Sequence, residues 1–270
     1  MIIRAHGLLY APAPVRFRRS LGALVVALPV AIRRSARSLC LAAALLAGSG
    51  LWGYLEVRNH PSSGLLLLSG AMQENAESFQ DGPAPREGDP LYGAFYFTNN
   101  AQVAIAAFAL GASFGLGTAL ILLFNGATLG ATLALVEEHG SLHALLSYVL
   151  PHSGLELFAT CLAAAAGFQL GLALLRPGWR RRRDALTQAA RESLPLILGA
   201  AGLLAIAGLT EGWISPKPWP LGTKAAIGGL LDLGLVLYLS LPGAQKSSEG
   251  EATQSTGASW ISSGSSSTIE

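Results

Sequence analysis

The sequence predicts an all-α fold: a polytopic transmembrane helix bundle of about six spans, with a short third span and an N-terminal helix lying on the membrane surface. Three observations carry that expectation. Of 270 residues, 51% are hydrophobic and only 13% are charged, against about 25% charged in soluble domains. The mean hydropathy is +0.46. The charges are gathered into short segments separated by charge-free runs long enough to cross a bilayer. Disordered chains and coiled coils need abundant charge and are excluded. A net charge of +2 is too small to draw a nucleic acid, and none is expected as a partner. Cys40 and Cys161 each sit inside an apolar run and imply no disulfide framework.

The spans follow in order. Leu21 to Ile32 is too short to cross and is flanked by arginines on both sides, so it reads as an amphipathic helix on the cytoplasmic face. Residues 1–37 are therefore a basic cytoplasmic arm, and residues 38–243 the transmembrane domain. Ser38 to Leu55 is the first crossing, entered behind Arg33, Arg34 and Arg37. The loop 58–90 carries Glu74, Glu77, Asp81, Glu87 and Asp89 and is external. Leu91 to Val136 is charge-free and long enough for about two crossings. Its natural break is Phe124-Asn125-Gly126, because Asn-Gly is a turn dipeptide and Gly126 tolerates positive φ. That break leaves Asn125 to Val136 as a short third span. Leu155 to Leu175, Ser193 to Thr210 and Ala225 to Leu241 complete the set, interrupted only by Glu156 and Asp232. An even number of crossings before Arg176 to Arg183 keeps every arginine cluster on the cytoplasmic side, as the positive-inside rule requires. Trp213 and Trp219 then anchor the external interface. Residues 244–270 are rich in Ser, Thr and Gly and read as a disordered cytoplasmic tail.

Chemistry is confined to a few positions. Pro151-His152-Ser153-Gly154-Leu155-Glu156 lies at the external face, and a helix begun by Pro151 places His152 and Glu156 on one side. A zinc reading gathers those two with His139 or His143. The plainer reading, preferred here, pairs His152 with Glu156 or with backbone amides and fixes the entry of a broken helix. Asp232 lies within the last span, where an ionisable side chain needs a partner; Asn99, Asn100, Asn125 and Gln169 are candidates, and a protonated carboxyl is the alternative. Glu211 closes the fifth span. Gly111 with Gly115, Gly126 with Gly130, and Gly167 with Gly171 form small-xxx-small faces that let helix backbones approach closely. No nucleophile stands with a base and an orienter, so neither catalysis nor a cofactor is expected.

Thr98-Asn99-Asn100, the run Gly111 to Thr118, Phe124 to Gly130, Pro151 to Leu157, Gly167 to Gly171 and Glu211-Gly212-Trp213-Ile214-Ser215-Pro216 resemble, in that order, the stage II sporulation protein M family over about Val15 to Leu241. That family usually carries Pro-His-Gly-x-x-Glu, so Ser153 replaces a glycine. Its side chain is expected either to change the backbone at that turn or to cap the following helix. The resemblance implies a non-enzymatic scaffold in the bacterial cytoplasmic (inner) membrane, and the arginine clusters put both termini on the cytoplasmic side. Such a scaffold positions envelope proteins during peptidoglycan or envelope remodelling. Cell-wall hydrolases, an AAA-type ATPase system, membrane lipids and a second copy of the chain are the expected partners. The rivals are a small-solute or ion transporter using Asp232, Glu156 and His152, and a metal-dependent membrane enzyme.

Overall fold

The computed structural model describes residues 17–68, 70 and 90–240, and every regular element among them is helical. The first part of the basic arm, most of the acidic loop and the Ser-rich tail lie outside the described residues.

Helix α1 (Phe17–Arg34) buries Leu28 and Ile32 on the bundle and leaves Val25 and Val26 exposed, as a helix lying along an interface does. Ser35 breaks it from α2 (Ala36–Asn59). Then come α3 (Pro90–Ala109), α4 (Leu116–Glu138), α5 (Leu142–Val149), α6 (Ser153–Leu175), α7 (Arg182–Glu192), α8 (Leu194–Trp213) and α9 (Leu221–Ser240). Of these, α2, α4, α6, α8 and α9 are long and apolar enough to span a membrane. Helix α3 has 20 residues and so reaches about 30 Å; it carries no charged residue, but Thr98, Asn99, Asn100 and Gln102 put a polar stretch at its middle.

The hairpin turn differs from the expectation. Asn125 and Gly126 sit within the continuous helix α4, whose 23 residues make the third span full length. The chain reverses earlier, at Ser113-Phe114-Gly115, where Phe114 and Gly115 have φ of 58° and 84°. A glycine reaches that left-handed region without cost, whereas a phenylalanine there is a rare exception. In the middle of α4, Asn125 Nδ2 donates to Ile121 O of its own helix at 2.9 Å, so its amide is satisfied without a turn. Gly126 serves packing.

Helix α6 is the hub. Ala163 to Ala166 are at most 1% exposed, and α2, α3, α7 and α8 all pack on it. Small side chains make this possible. The Gly111/Gly115 pair meets the Gly167/Gly171 pair so closely that a Cβ on Gly111 collides with Gly167 backbone, and one on Gly171 with Gly115 backbone. The Gly126/Gly130 face meets α2 at Leu46, Ser49 and Gly50, and Gly53 lies against Ala127 backbone. Without a hydrophobic drive between helices in lipid, such close backbone approach is a principal source of association energy.

At the arginine-rich end a polar clasp ties four elements. Ser35 Oγ donates to Ala31 O (2.7 Å) and accepts from Gln169 Nε2 (2.5 Å), while Ser193 Oγ donates to Gln169 Oε1 (2.8 Å). Gln169 is therefore committed to serines and is no partner for Asp232.

Gly130→Val should lower the thermal midpoint in detergent, since overpacking costs about 1–3 kcal/mol and its Cβ has nowhere to go between Gly50 and Tyr54 backbone. Gly48→Val, whose Cβ meets nothing within 4 Å, should leave it unchanged. Equal midpoints would contradict the α2/α4 packing.

Candidate functional site

Opposite the arginine-rich end, a set of polar side chains is buried where α5, α6, α8 and α9 meet. Pro151 closes the turn after α5 and is fully buried, and His152 follows as the N-cap residue of α6, with φ −134° and ψ −18°. Ser153 is the first helical residue of α6, one position after the N-cap His152, and its φ is outside the left-handed region. Glu156 falls in the first turn of α6, where a carboxylate is favoured by the helix dipole.

The side chains of His152 and Glu156 do not bond each other. His152 Nδ1 meets Ser215 Oγ at 3.0 Å, and its ring stands edge-on to Tyr148 with centroids 5.9 Å apart. Glu156 accepts from the Asn100 side chain instead. The third member is Glu211, near the end of α8, only 2% exposed. Tyr148 Oη donates to its Oε1 at 3.1 Å, and Oε2 is buried with no hydrogen-bond partner. One ligand-type atom from each of His152, Glu156 and Glu211 lies within 4.8 Å of the other two. Burial pushes the His152 imidazole down to about 4, so the ring is neutral near pH 7 and keeps a lone pair.

Helix α9 supplies the remaining wall through residues spaced by four. Lys224 Nζ donates to Ser215 O at 2.7 Å, and Gly228 lets the helix approach the Leu150-Pro151 backbone. One turn on, the Asp232 carboxylate lies directly on Gly154, where any Cβ would collide with it. Asp232 thus belongs to the edge of this site. Among its expected partners, Asn100 serves Glu156, Asn125 bonds its own helix and Asn99 is exposed. His139 and His143 are exposed and do not join; His139 Nδ1 contacts Leu135 O within its own helix end.

Tyr148, Ser215 and Lys224 are site residues that the sequence reading passed over. Two of them had a signal. Tyr148 and Ser215 stand four residues from His152 and Glu211 respectively, one helical turn away. Lys224 stands just before Ala225, the expected start of the last span, and no spacing in the sequence ties it to Ser215.

Five helices long and apolar enough to cross a membrane, packed on an apolar core with buried polar side chains at its ends, define a polytopic integral membrane protein. Residues 39–216 match the model of the family described as Stage II sporulation protein M, and the chain belongs to that family. No curated protein and no solved structure matches the chain significantly. Two of the sequence motifs that carry the resemblance, Pro151 to Leu157 and Glu211 to Pro216, meet at this one site through His152 and Ser215.

Gly154→Val should destabilise the protein by about 1–3 kcal/mol through overpacking, and Asp232→Ala in the same background should recover most of the loss. Additive losses in the double variant, measured by thermal unfolding, would show that the two residues do not touch.

Proposed function

We propose that this chain is a non-enzymatic membrane scaffold that positions partner proteins at the bacterial cell envelope, in peptidoglycan or envelope remodelling. One observation carries the reading: the helices are locked backbone to backbone. Contacts such as Gly111 on Gly167, Gly130 on Gly50 and Gly53 on Ala127 leave no slack for one helix to slide past its neighbour. A bundle held this way keeps one shape, which suits presenting a surface and not cycling between two. Family membership over residues 39–216 points the same way.

In this reading α3 is the sixth crossing. Both termini and the run Arg176 to Arg183 then face the cytoplasm of the bacterial inner membrane, and the His152 site faces outward. The partners are membrane lipids, envelope proteins such as cell-wall hydrolases or an AAA-type ATPase system, and a second copy of the chain. Cysteines placed at Glu77 and Trp219 should react with an impermeant reagent from outside, and one at Arg182 should not; labelling at Arg182 would contradict the orientation. Affinity isolation from native membranes in mild detergent should recover an envelope partner in fixed ratio. Recovery of the chain with lipid alone would count against a scaffold.

A second reading, an ion or small-solute path, draws on the neighbourhood of His152, Glu156 and Asp232 at one helix junction. Flux into proteoliposomes that Asp232→Asn abolishes would favour it over the scaffold.

A further inference from the structure

Two carboxylates and an imidazole converge at the α6/α8 junction in a pattern that hydrogen bonding alone leaves incomplete. Each of the three groups is held by a neighbour of its own: Ser215 takes His152 Nδ1, Tyr148 takes Glu211 Oε1, and Asn100 takes Glu156. Outer partners of this kind orient metal ligands and fix a histidine's tautomer. They leave donor atoms over. With Nδ1 engaged, Nε2 is the free ring nitrogen, and Glu211 Oε2 is fully buried with no partner. An orphaned carboxylate oxygen in such a place costs free energy until something positive or acidic meets it.

Nothing positive does so within the described chain. No Lys or Arg forms an ion pair with Glu156 or Glu211, and the buried Lys224 ammonium is spent on the Ser215 carbonyl at 2.7 Å. The donor atoms lie within 4.8 Å of one another. That spread can contract onto one ion with bonds of about 2.0–2.2 Å to nitrogen and oxygen. One imidazole and two carboxylates suit a borderline transition ion, whereas calcium and magnesium favour oxygen alone.

We propose that His152, Glu156 and Glu211 bind one divalent transition-metal ion of the zinc class, which staples the start of α6 to the end of α8. Three protein donors leave a coordination position for water or for the second oxygen of a carboxylate. The site is closed, with His152 and Glu211 at 4% and 2% exposure, so the ion acts on stability and not on a substrate. The inference goes beyond the scaffold reading and does not depend on it: loss of partners with zinc binding intact would sink only the scaffold.

The test uses the full chain, purified in mild detergent without a histidine tag and without chelator. Elemental analysis should find about one zinc per chain. After stripping with EDTA, zinc chloride should raise the thermal midpoint, and magnesium chloride should not. Glu211→Gln and His152→Gln should lose both the retained zinc and the shift. Ser215→Ala should keep the site and weaken zinc binding about 10–100-fold. The His139→Gln/His143→Gln double variant should behave as wild type, which removes the exposed histidines as the source. Absence of zinc and of any zinc-induced shift in the wild type would overturn the proposal. So would a Glu211→Gln protein that shifts as much as wild type. A third contrary result is a Glu211→Gln protein more stable than the metal-free wild type with zinc affecting neither, since the carboxylates would then share a proton.

Discussion

Everything in this bundle depends on how closely the helix backbones approach α6. In lipid, burying an apolar side chain against another helix gains little over burying it against acyl chains, so association rests on dispersion contacts and weak polar contacts that need short distances. A helix lined with Ala163 to Ala166, Gly167 and Gly171 provides them. Larger side chains along that face would push α3 and the Ser113 to Gly115 turn outward, and Asn100 on α3 would no longer reach Glu156. The α2/α4 pair uses the same device through Gly53, Gly126 and Gly130.

The polar groups are placed at the ends of this packed middle, where they set which helices meet. At one end Gln169 bridges Ser35 and Ser193, satisfying both sides of its amide. At the other, the His152 site joins α5, α6, α8 and α9 and leaves Glu211 Oε2 without a hydrogen-bond partner. The two ends differ in this respect: a fully satisfied network rigidifies a core, whereas at the other end one buried carboxylate oxygen is left unpaired.

Most of the spans were legible in the sequence because charge and length are read directly from it. The turn was not. Asn125-Gly126 carries the stronger local turn signal, yet Asn125 caps its own helix carbonyl and Gly126 is needed for contact with α2. Ser113-Phe114-Gly115 holds the reversal although Phe114 is a poor choice for positive φ. Tertiary contact outweighed local preference there. At the site, His152, Glu156 and Glu211 were each visible as ionisable residues beside apolar runs. Their meeting was not, because Glu211 is more than fifty residues downstream of His152 and helix crossing brings them together. Asp232 was found but given the wrong neighbours, since spacing along one helix says nothing about which helix lies opposite.

Thermal unfolding in detergent of Gly167→Val beside Gly202→Val tests the role of α6 most directly. A Cβ at Gly167 collides with the Ala107 carbonyl and Thr118 Oγ1, whereas one at Gly202 meets nothing within 4 Å. A lowered midpoint for Gly167→Val alone, in keeping with an overpacking cost of about 1–3 kcal/mol, is the result predicted. Two variants as stable as wild type would contradict a bundle built on backbone contact with α6.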